Sequence, residues 1–306
     1  MSQAHAAPGA IHVFAATERP LWTAWSAYRR LLCRSLKSPG VNMNARISRI
    51  LPQWRRAPEV FASVRETSDA VELVLAYLGL RSPSYPFVVH FRTGEQLRVE
   101  THHDLVTLWI IFFRNEYRLP KSCTTIVDAG ANIGAFSLYA ARHAPGATIH
   151  ALEPFPSTRQ RLAETLDANR LTSRVKVYEL ALADVTAGNV TRHMSSEGPS
   201  QSRGTGLEPG AGSIAVPVST LEKFLDDANI TEVDFLKMDI EGAEHEVLHA
   251  ASSSVIRRFR EIGLEYHPNR SADALFRKLV SCGFVCRHDA RVAQDSGVAH
   301  FARIAM

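Results

Sequence analysis

Two runs of residues in this 306-residue chain carry groups that could do chemistry. The first is Asp128-Ala129-Gly130-Ala131-Asn132-Ile133-Gly134, which follows the β-branched run Thr124-Thr125-Ile126-Val127 and precedes a helical pattern at Phe136, Leu138, Tyr139 and Ala140. Strand, glycine turn and helix is the layout in which backbone N–H groups and a helix N-terminus meet a polar or anionic ligand. Gly130 lets the chain turn and the ligand approach the backbone, and Gly134 lets helix pack closely on strand. The second run is Lys237-Met238-Asp239-Ile240-Glu241-Gly242-Ala243-Glu244, which the apolar strand Val233 to Met238 delivers onto a helix containing Val247 and Leu248. A further strand, Ile262 to Leu264, ends in Glu265-Tyr266-His267. Sites in open α/β sheets form beyond the carboxyl ends of strands, so Asp239, Glu241, Glu265 and His267 are expected to face one crevice with the glycine loop.

Acids at successive strand ends narrow the choice of ligand. Ala147 to Leu152 reads as a strand ending at Glu153, 23 residues beyond Gly130. A carboxylate there can accept both ribose hydroxyls of an adenosine-containing cofactor. Phe155 can cover one face of the adenine, and Asp184, beyond the strand Val175 to Leu180, can accept its amino group. The expected cofactor set is Asp128, Gly130, Asn132, Gly134, Glu153, Phe155 and Asp184. Two cofactors compete for it. A nicotinamide dinucleotide brings a pyrophosphate and usually a G-x-G-x-x-G loop, whereas here Asn132 takes the second glycine's place and Asp128 stands two residues ahead of Gly130. A carboxylate at that point repels pyrophosphate and suits the ammonium and sulfonium end of S-adenosylmethionine. The sign of that charge favours the methyl donor.

Methyl transfer from a sulfonium is an in-line displacement that requires an aligned, deprotonated nucleophile. His267 is the expected general base for a substrate hydroxyl, oriented by Asp239 or Glu265. A rival reading makes Asp239, Glu241 and Glu265 oxygen ligands of Mg²⁺ or Ca²⁺, which would lower the hydroxyl's pKa directly. A purely structural reading has Glu241 and Glu244 capping the following helix and Lys237 paired with an acid.

The elements that must position these groups begin upstream. Leu21, Trp25, Tyr28, Leu32 and Leu36 mark a basic amphipathic helix, and Pro58 to Leu80 a second helix. Phe87 to Arg92 and Gln96 to Glu100 flank Thr93-Gly94-Glu95 as a hairpin, and His103 to Arg118 reads as an apolar helix. Residues 1–80 are therefore expected as a basic helical extension and 81–306 as the chemical domain. Thr186 to Ser213, rich in glycine, is expected as a structureless insertion or lid. Gly283 to Arg287 and Val298 to Ile304 close the fold as two strands.

Composition bounds the function classes. With 45% apolar and 22% charged residues the chain is globular, not collagenous or disordered. No apolar run approaches the roughly 18 residues of a spanning helix. The first 58 residues carry +8 and the remainder −4. The basic balance therefore belongs to the arm, giving no case for nucleic acid as a partner of the core, while the arm's helix could lie on an anionic membrane surface. The start lacks a basic, apolar leader, and Cys33, Cys123, Cys282 and Cys286 are too scattered for a disulfide framework. A cytoplasmic protein with reduced thiols is expected.

Ile126 to Gly134, Glu153-Pro154 and Lys237 to Glu244 together resemble the FkbM family of S-adenosylmethionine-dependent methyltransferases, over about Phe87 to the C-terminus. Asp239-Ile240-Glu241-Gly242-Ala243-Glu244 is the most specific part of the match. The resemblance implies the class I methyltransferase fold, a Rossmann-like, doubly wound α/β sheet of seven strands with an antiparallel last strand. It also implies O-methylation of small molecules or sugars, with cofactor contacts on Asp128, Gly130, Asn132, Glu153, Phe155 and Asp184. Leu221-Glu222 departs from the family's usual Leu-Asp, and the insertion is richer in glycine; both touch the lid and substrate pocket. The other function classes are a dinucleotide-dependent oxidoreductase and a non-catalytic cofactor-binding domain.

Overall fold

The computed structural model describes residues 56–120, 122–184, 191–195, 205–207, 213–267, 271–293 and 295–304. The helix expected over Leu21 to Lys37 lies outside them. The helix expected from Pro58 to Leu80 is instead two, α1 (Ala57–Glu66) and α2 (Ala70–Tyr77). Thr67 divides them. Its N–H and its hydroxyl both turn back to the Ser63 carbonyl, and its backbone leaves the helix to bridge Phe91. A threonine hydroxyl that competes for a backbone carbonyl is a local helix stop. The hairpin follows as expected, β1 (Phe87–His90) antiparallel to β2 (Gln96–Val99).

The helix α3 (His102–Leu108) starts on a reciprocal cap, Thr101 with Asp104, then widens into a π turn over Trp109–Phe113 instead of running on to Arg118. That turn keeps Trp109, Ile111, Phe112 and Phe113 all buried. Trp109 stacks on Tyr77 with centroids 3.9 Å apart and donates its indole N–H to Glu59 at 2.6 Å. The N-terminal helices are thereby fastened to the rest of the chain.

The main sheet is built from β3 (Thr125–Ala129), α4 (Ala135–His143), β4 (Thr148–Leu152), α5 (Pro156–Ala168) and β5 (Val175–Tyr178), followed by the short β6 (Ala181–Leu182). The segment expected to be structureless contributes β7 (Thr191–Ser195) and β8 (Thr205–Leu207). With β6 and β9 (Ser213–Ser219) these form a second sheet in the order β6-β9-β7-β8. The glycine-rich composition of the insertion hid this pairing, because its strands carry no apolar run of their own: β7 forms antiparallel to β9, and β8 antiparallel to β7.

Then come α6 (Leu221–Asp227), β10 (Val233–Met238), α7 (Glu244–Ala250), α8 (Ser253–Ile256), β11 (Phe259–Tyr266), α9 (Ala272–Ser281), β12 (Phe284–Ala293) and β13 (Ser296–Arg303). The seven-stranded order is β12-β13-β11-β10-β3-β4-β5, with β13 antiparallel between β11 and β12. This is the doubly wound sheet with an antiparallel last strand that the resemblance implies.

One face of the sheet packs Ile126, Ile149 and Phe235 against Phe136, Leu108, Trp109, Leu73 and Tyr77. The other packs Val127, Leu236, Met238 and Leu264 against Phe224, Leu248 and Leu279. Chain order reverses between β3 and β10, so their carboxyl ends splay apart into a crevice, the place where such sheets bind ligands. Among the described residues no helix is long and apolar enough to cross a membrane.

Candidate active site

Parallel register sets the first contact of the crevice. Lys237 of β10 lies directly opposite Asp128 of β3 and on the same face of the sheet. Its ammonium stands 3.4 Å from Asp128 Oδ1, while the Ser137 hydroxyl donates to Asp128 Oδ2 at 2.7 Å. Asp128 is 0% exposed and Lys237 only 4%. Burial works to discharge the lysine, but Asp128 and Asp239 outweigh it and hold its pKa above the ordinary value. Asp128, expected from the sequence to meet a cationic donor, faces the Lys237 ammonium inside the protein.

The glycine loop rests on the second strand end. Gly130 has φ 78°, and a Cβ there would fall 1.9 Å from the Asp239 carbonyl oxygen, so only glycine permits this crossing. Gly134 is also left-handed, at φ 85°, but its close contact is with Leu162 of α5, where a Cβ would meet Cδ1 at 2.7 Å. It serves helix-on-helix packing, not helix-on-strand packing as expected.

Three loop N–H groups are already engaged: Gly130 and Ala131 donate to the Leu152 carbonyl at 3.1 and 2.9 Å, and Asn132 donates to Glu153 Oε2 at 2.9 Å. Glu153 Oε1 takes the Phe155 N–H at 3.0 Å. Asn132, at φ 51°, is a residue type that tolerates this left-handed turn. Phe155 is buried among Ala181, Ala183, Val216 and Val218, which leaves most of its ring covered by protein rather than presented to an adenine. The Asp184 N–H donates to Glu246 Oε1 at 2.8 Å, tying the end of β6 to α7.

Beyond the loop, Asp239, Glu265 and His267 each bring one oxygen or nitrogen within 4.8 Å of the others. Glu241, a ligand in the metal reading made from sequence, stands outside that triad; its Oε2 is 3.7 Å from His267 Nε2. The carboxylate closest to His267 is neither Asp239 nor Glu265. It is Glu244, 2% exposed, with Oε1 3.2 Å from Nδ1. The same oxygen accepts the N–H groups of Ile240 at 2.9 Å and Gly242 at 3.2 Å, capping the turn that leads into α7. The structural reading therefore holds for Glu244 and Lys237 but not for Glu241, which has φ 56° and turns toward the imidazole.

These neighbours set the protonation of the crevice. Burial alone would depress His267, yet Glu244, Glu265 and Asp239 raise it to about 10. Burial and the Asp239 charge push Glu265 to about 8 and Glu241 to about 9. These acid neighbours favour the imidazolium form of His267, which works against the general-base role expected for it. The sequence alone missed Glu244 as its partner because the pairing joins a helix cap to the end of β11.

The family model described as Methyltransferase FkbM domain matches residues 128–286, just over half of the chain. Among curated proteins, AMB antimetabolite synthetase AmbE of Pseudomonas aeruginosa is 27% identical over 57% of this chain, and this chain spans 10% of it. Methyltransferase sdnD of Sordaria araneosa is 32% identical, over 46% of this chain and 65% of its own length. The 31-O-demethyl-FK506 methyltransferase FkbM of Streptomyces tacrolimicus is 26% identical, over 65% of this chain and 83% of its own. The chain thus spans less than two thirds of the first two relatives. The matched segment begins at the buried Asp128, runs through the acid crevice and ends in β12, so the parts that build this site are the parts that the family model describes: the chain belongs to the FkbM methyltransferase domain family.

Proposed function

We propose that this chain transfers a methyl group from S-adenosylmethionine to a hydroxyl oxygen of a small-molecule or carbohydrate acceptor. The observation that carries the reading is the crossing of Gly130 over the Asp239 carbonyl, which sets the glycine loop and the acid crevice edge to edge. A donor whose ribose is read at Glu153 then reaches that crevice with its sulfonium. The engaged N–H groups of Gly130, Ala131 and Asn132 leave those three donors unavailable to a pyrophosphate, which weighs against the oxidoreductase. The partly exposed Asp239 carboxylate in the crevice suits a cationic donor, so the charge argument once placed on Asp128 passes to it. Family membership and the oxygen-directed name of the Streptomyces relative support transfer to oxygen.

In this reading a lone pair on the acceptor oxygen attacks the sulfonium methyl carbon. The methyl–sulfur bond breaks, with its electron pair going to sulfur to leave S-adenosylhomocysteine. The hydroxyl proton passes to Glu265, a carboxylate whose basicity burial and Asp239 have raised. His267, held cationic by Glu244, steadies the oxygen as its proton leaves. Incubating the purified chain with methyl-labelled S-adenosylmethionine and a panel of hydroxylated acceptors tests the proposal. A mass gain of one methyl on an acceptor supports it, and exclusive transfer to carbon or nitrogen overturns it.

A second reading is favoured by the convergence of Asp239, Glu265 and His267: a divalent cation held there would lower the hydroxyl's pKa. The triad offers two carboxylates and an imidazole whose other nitrogen faces a carboxylate, a donor set that fits such an ion. Stoichiometric Mn²⁺ binding that is lost in Asp239→Asn, together with inhibition by chelator, would select this reading. Full activity in chelator selects the first.

A further inference from the structure

We infer that Lys237 is the positioning residue for the amino-acid end of the methyl donor; the inference rests on the proposed donor and goes beyond it. Lys237 is buried under the crevice and reaches both of its walls. Its ammonium donates to the Gly130 carbonyl at 2.6 Å, touches the Ala129 carbonyl at 3.4 Å and stands 3.6 Å from Asp239 Oδ2. The Tyr117 ring lies beneath it, 5.9 Å from the nitrogen. Lys237 thus touches the glycine loop, the buried Asp128 and the crevice-facing Asp239 together.

Position along the sheet assigns the part of the donor concerned. Glu153, at the end of β4, stands where the ribose is read. Gly130 follows β3, the next strand, and Asp239 follows β10, the one after. A donor laid from Glu153 toward the acids therefore carries its amino-acid tail over the Gly130–Asp239 crossing. Lys237 does two things there. It cancels Asp128, so that the partly exposed Asp239 presents the anion to the tail's ammonium. It also fixes the Gly130 peptide with its carbonyl turned inward, away from the tail. The adenosine end does not depend on it, because Glu153 is held by Asn132 and Phe155.

The test compares two ligands, S-adenosylmethionine and 5′-methylthioadenosine, which keeps the nucleoside and lacks the tail. Removing Lys237 alone would strand a buried carboxylate, so the principal variant is Asp128→Asn with Lys237→Met, which removes both partners of the buried pair. Lys237→Arg is the second variant, keeping the charge but not the short reach to the Gly130 carbonyl. In calorimetric titrations both variants are expected to bind S-adenosylmethionine roughly tenfold or more weakly, the scale of a lost charge-assisted contact. Binding of 5′-methylthioadenosine should stay within about twofold. Parallel weakening of both ligands, as a merely structural role gives, overturns the inference, and so does an unchanged ratio. A wild-type chain that binds neither ligand overturns the donor reading and this inference with it. A wild-type chain that binds both, with variants of unchanged ratio, overturns the role of Lys237 alone.

Discussion

Glu265 and His267 place opposite demands on pH. In the proposed mechanism Glu265 must be ionised to take a proton, and its pKa is raised to about 8; His267 must stay protonated to steady the oxygen, and its pKa is raised to about 10. The logarithm of kcat/KM should therefore climb as pH rises through about 8 and descend as it passes about 10. Because the Glu244 carboxylate is a principal cause of the His267 shift, Glu244→Gln should draw the descending limb to lower pH and leave the ascending limb closer to its place. A profile whose alkaline limb does not move in that variant would remove His267 from the role. Glu153 makes a separate demand, since Glu153→Ala takes the acceptor from the Asn132 and Phe155 N–H groups as well as, in the proposed reading, from the donor's ribose. Losing a charged acceptor costs roughly 1.5–3 kcal/mol, so donor affinity should fall about 10- to 100-fold by titration calorimetry.

At the scale of elements, β3 was legible as a short, buried, β-branched run, and β4 and β10 as short apolar runs. Val233–Met238 was read to the residue, and β3 and β4 to within two residues of their ends. What could not be read was competition among elements. Thr67 leaves its helix for a bridge to Phe91, the π turn at Trp109 answers to Tyr77 and Glu59, and β7 exists through pairing with β9 and β8 through pairing with β7. The candidate site divides in the same way. Its strand-end acids and glycines were visible as motifs, whereas the Lys237–Asp128 pair follows from interstrand register and the Glu244–His267 pair from a cap meeting a distant strand.

The neighbouring strands β4 and β5 supply a test of register. His150 and Tyr178 stack, with Nδ1 2.9 Å from the hydroxyl, and burial, helped by Lys176, lowers His150 to about 4. A histidine kept neutral in the folded chain gives its full stability above its unfolded value of about 6.5 and loses it progressively as pH falls toward about 4. The difference is at most about 3 kcal/mol. Urea unfolding should show the wild type losing stability relative to His150→Gln across that window, and parallel pH curves would refute the account.

For the whole molecule the open matter is whether the N-terminal helices form a unit of their own, as the expected division at residue 80 has it. Among the described residues, α1 and α2 have no separate core. Leu73 and Tyr77 share one cluster with Phe136, Ile149 and Phe235, which belong to the main sheet and its first helix. Arg142 of α4 bonds Glu66 of α1, and Arg114 joins Tyr77 and Glu59 just past the π turn. If these contacts bind one cooperative unit, a cavity cut into α2 should be felt at β4. Leu73 is fully buried, so Leu73→Ala should cost about 2–5 kcal/mol, the range for truncating a core leucine. The whole loss should appear in a single unfolding transition. In a background with Trp22, Trp25 and Trp54 replaced by Phe, tryptophan fluorescence reports on Trp109 beside α2, and amide hydrogen exchange in β4 reports on the sheet. Coincident midpoints in both, shifted together by the mutation, would place residues 57–77 inside the methyltransferase domain. An early transition confined to the tryptophan signal, with the sheet unmoved, would restore the boundary at residue 80 and make α1 and α2 a detachable cover over one face of the sheet.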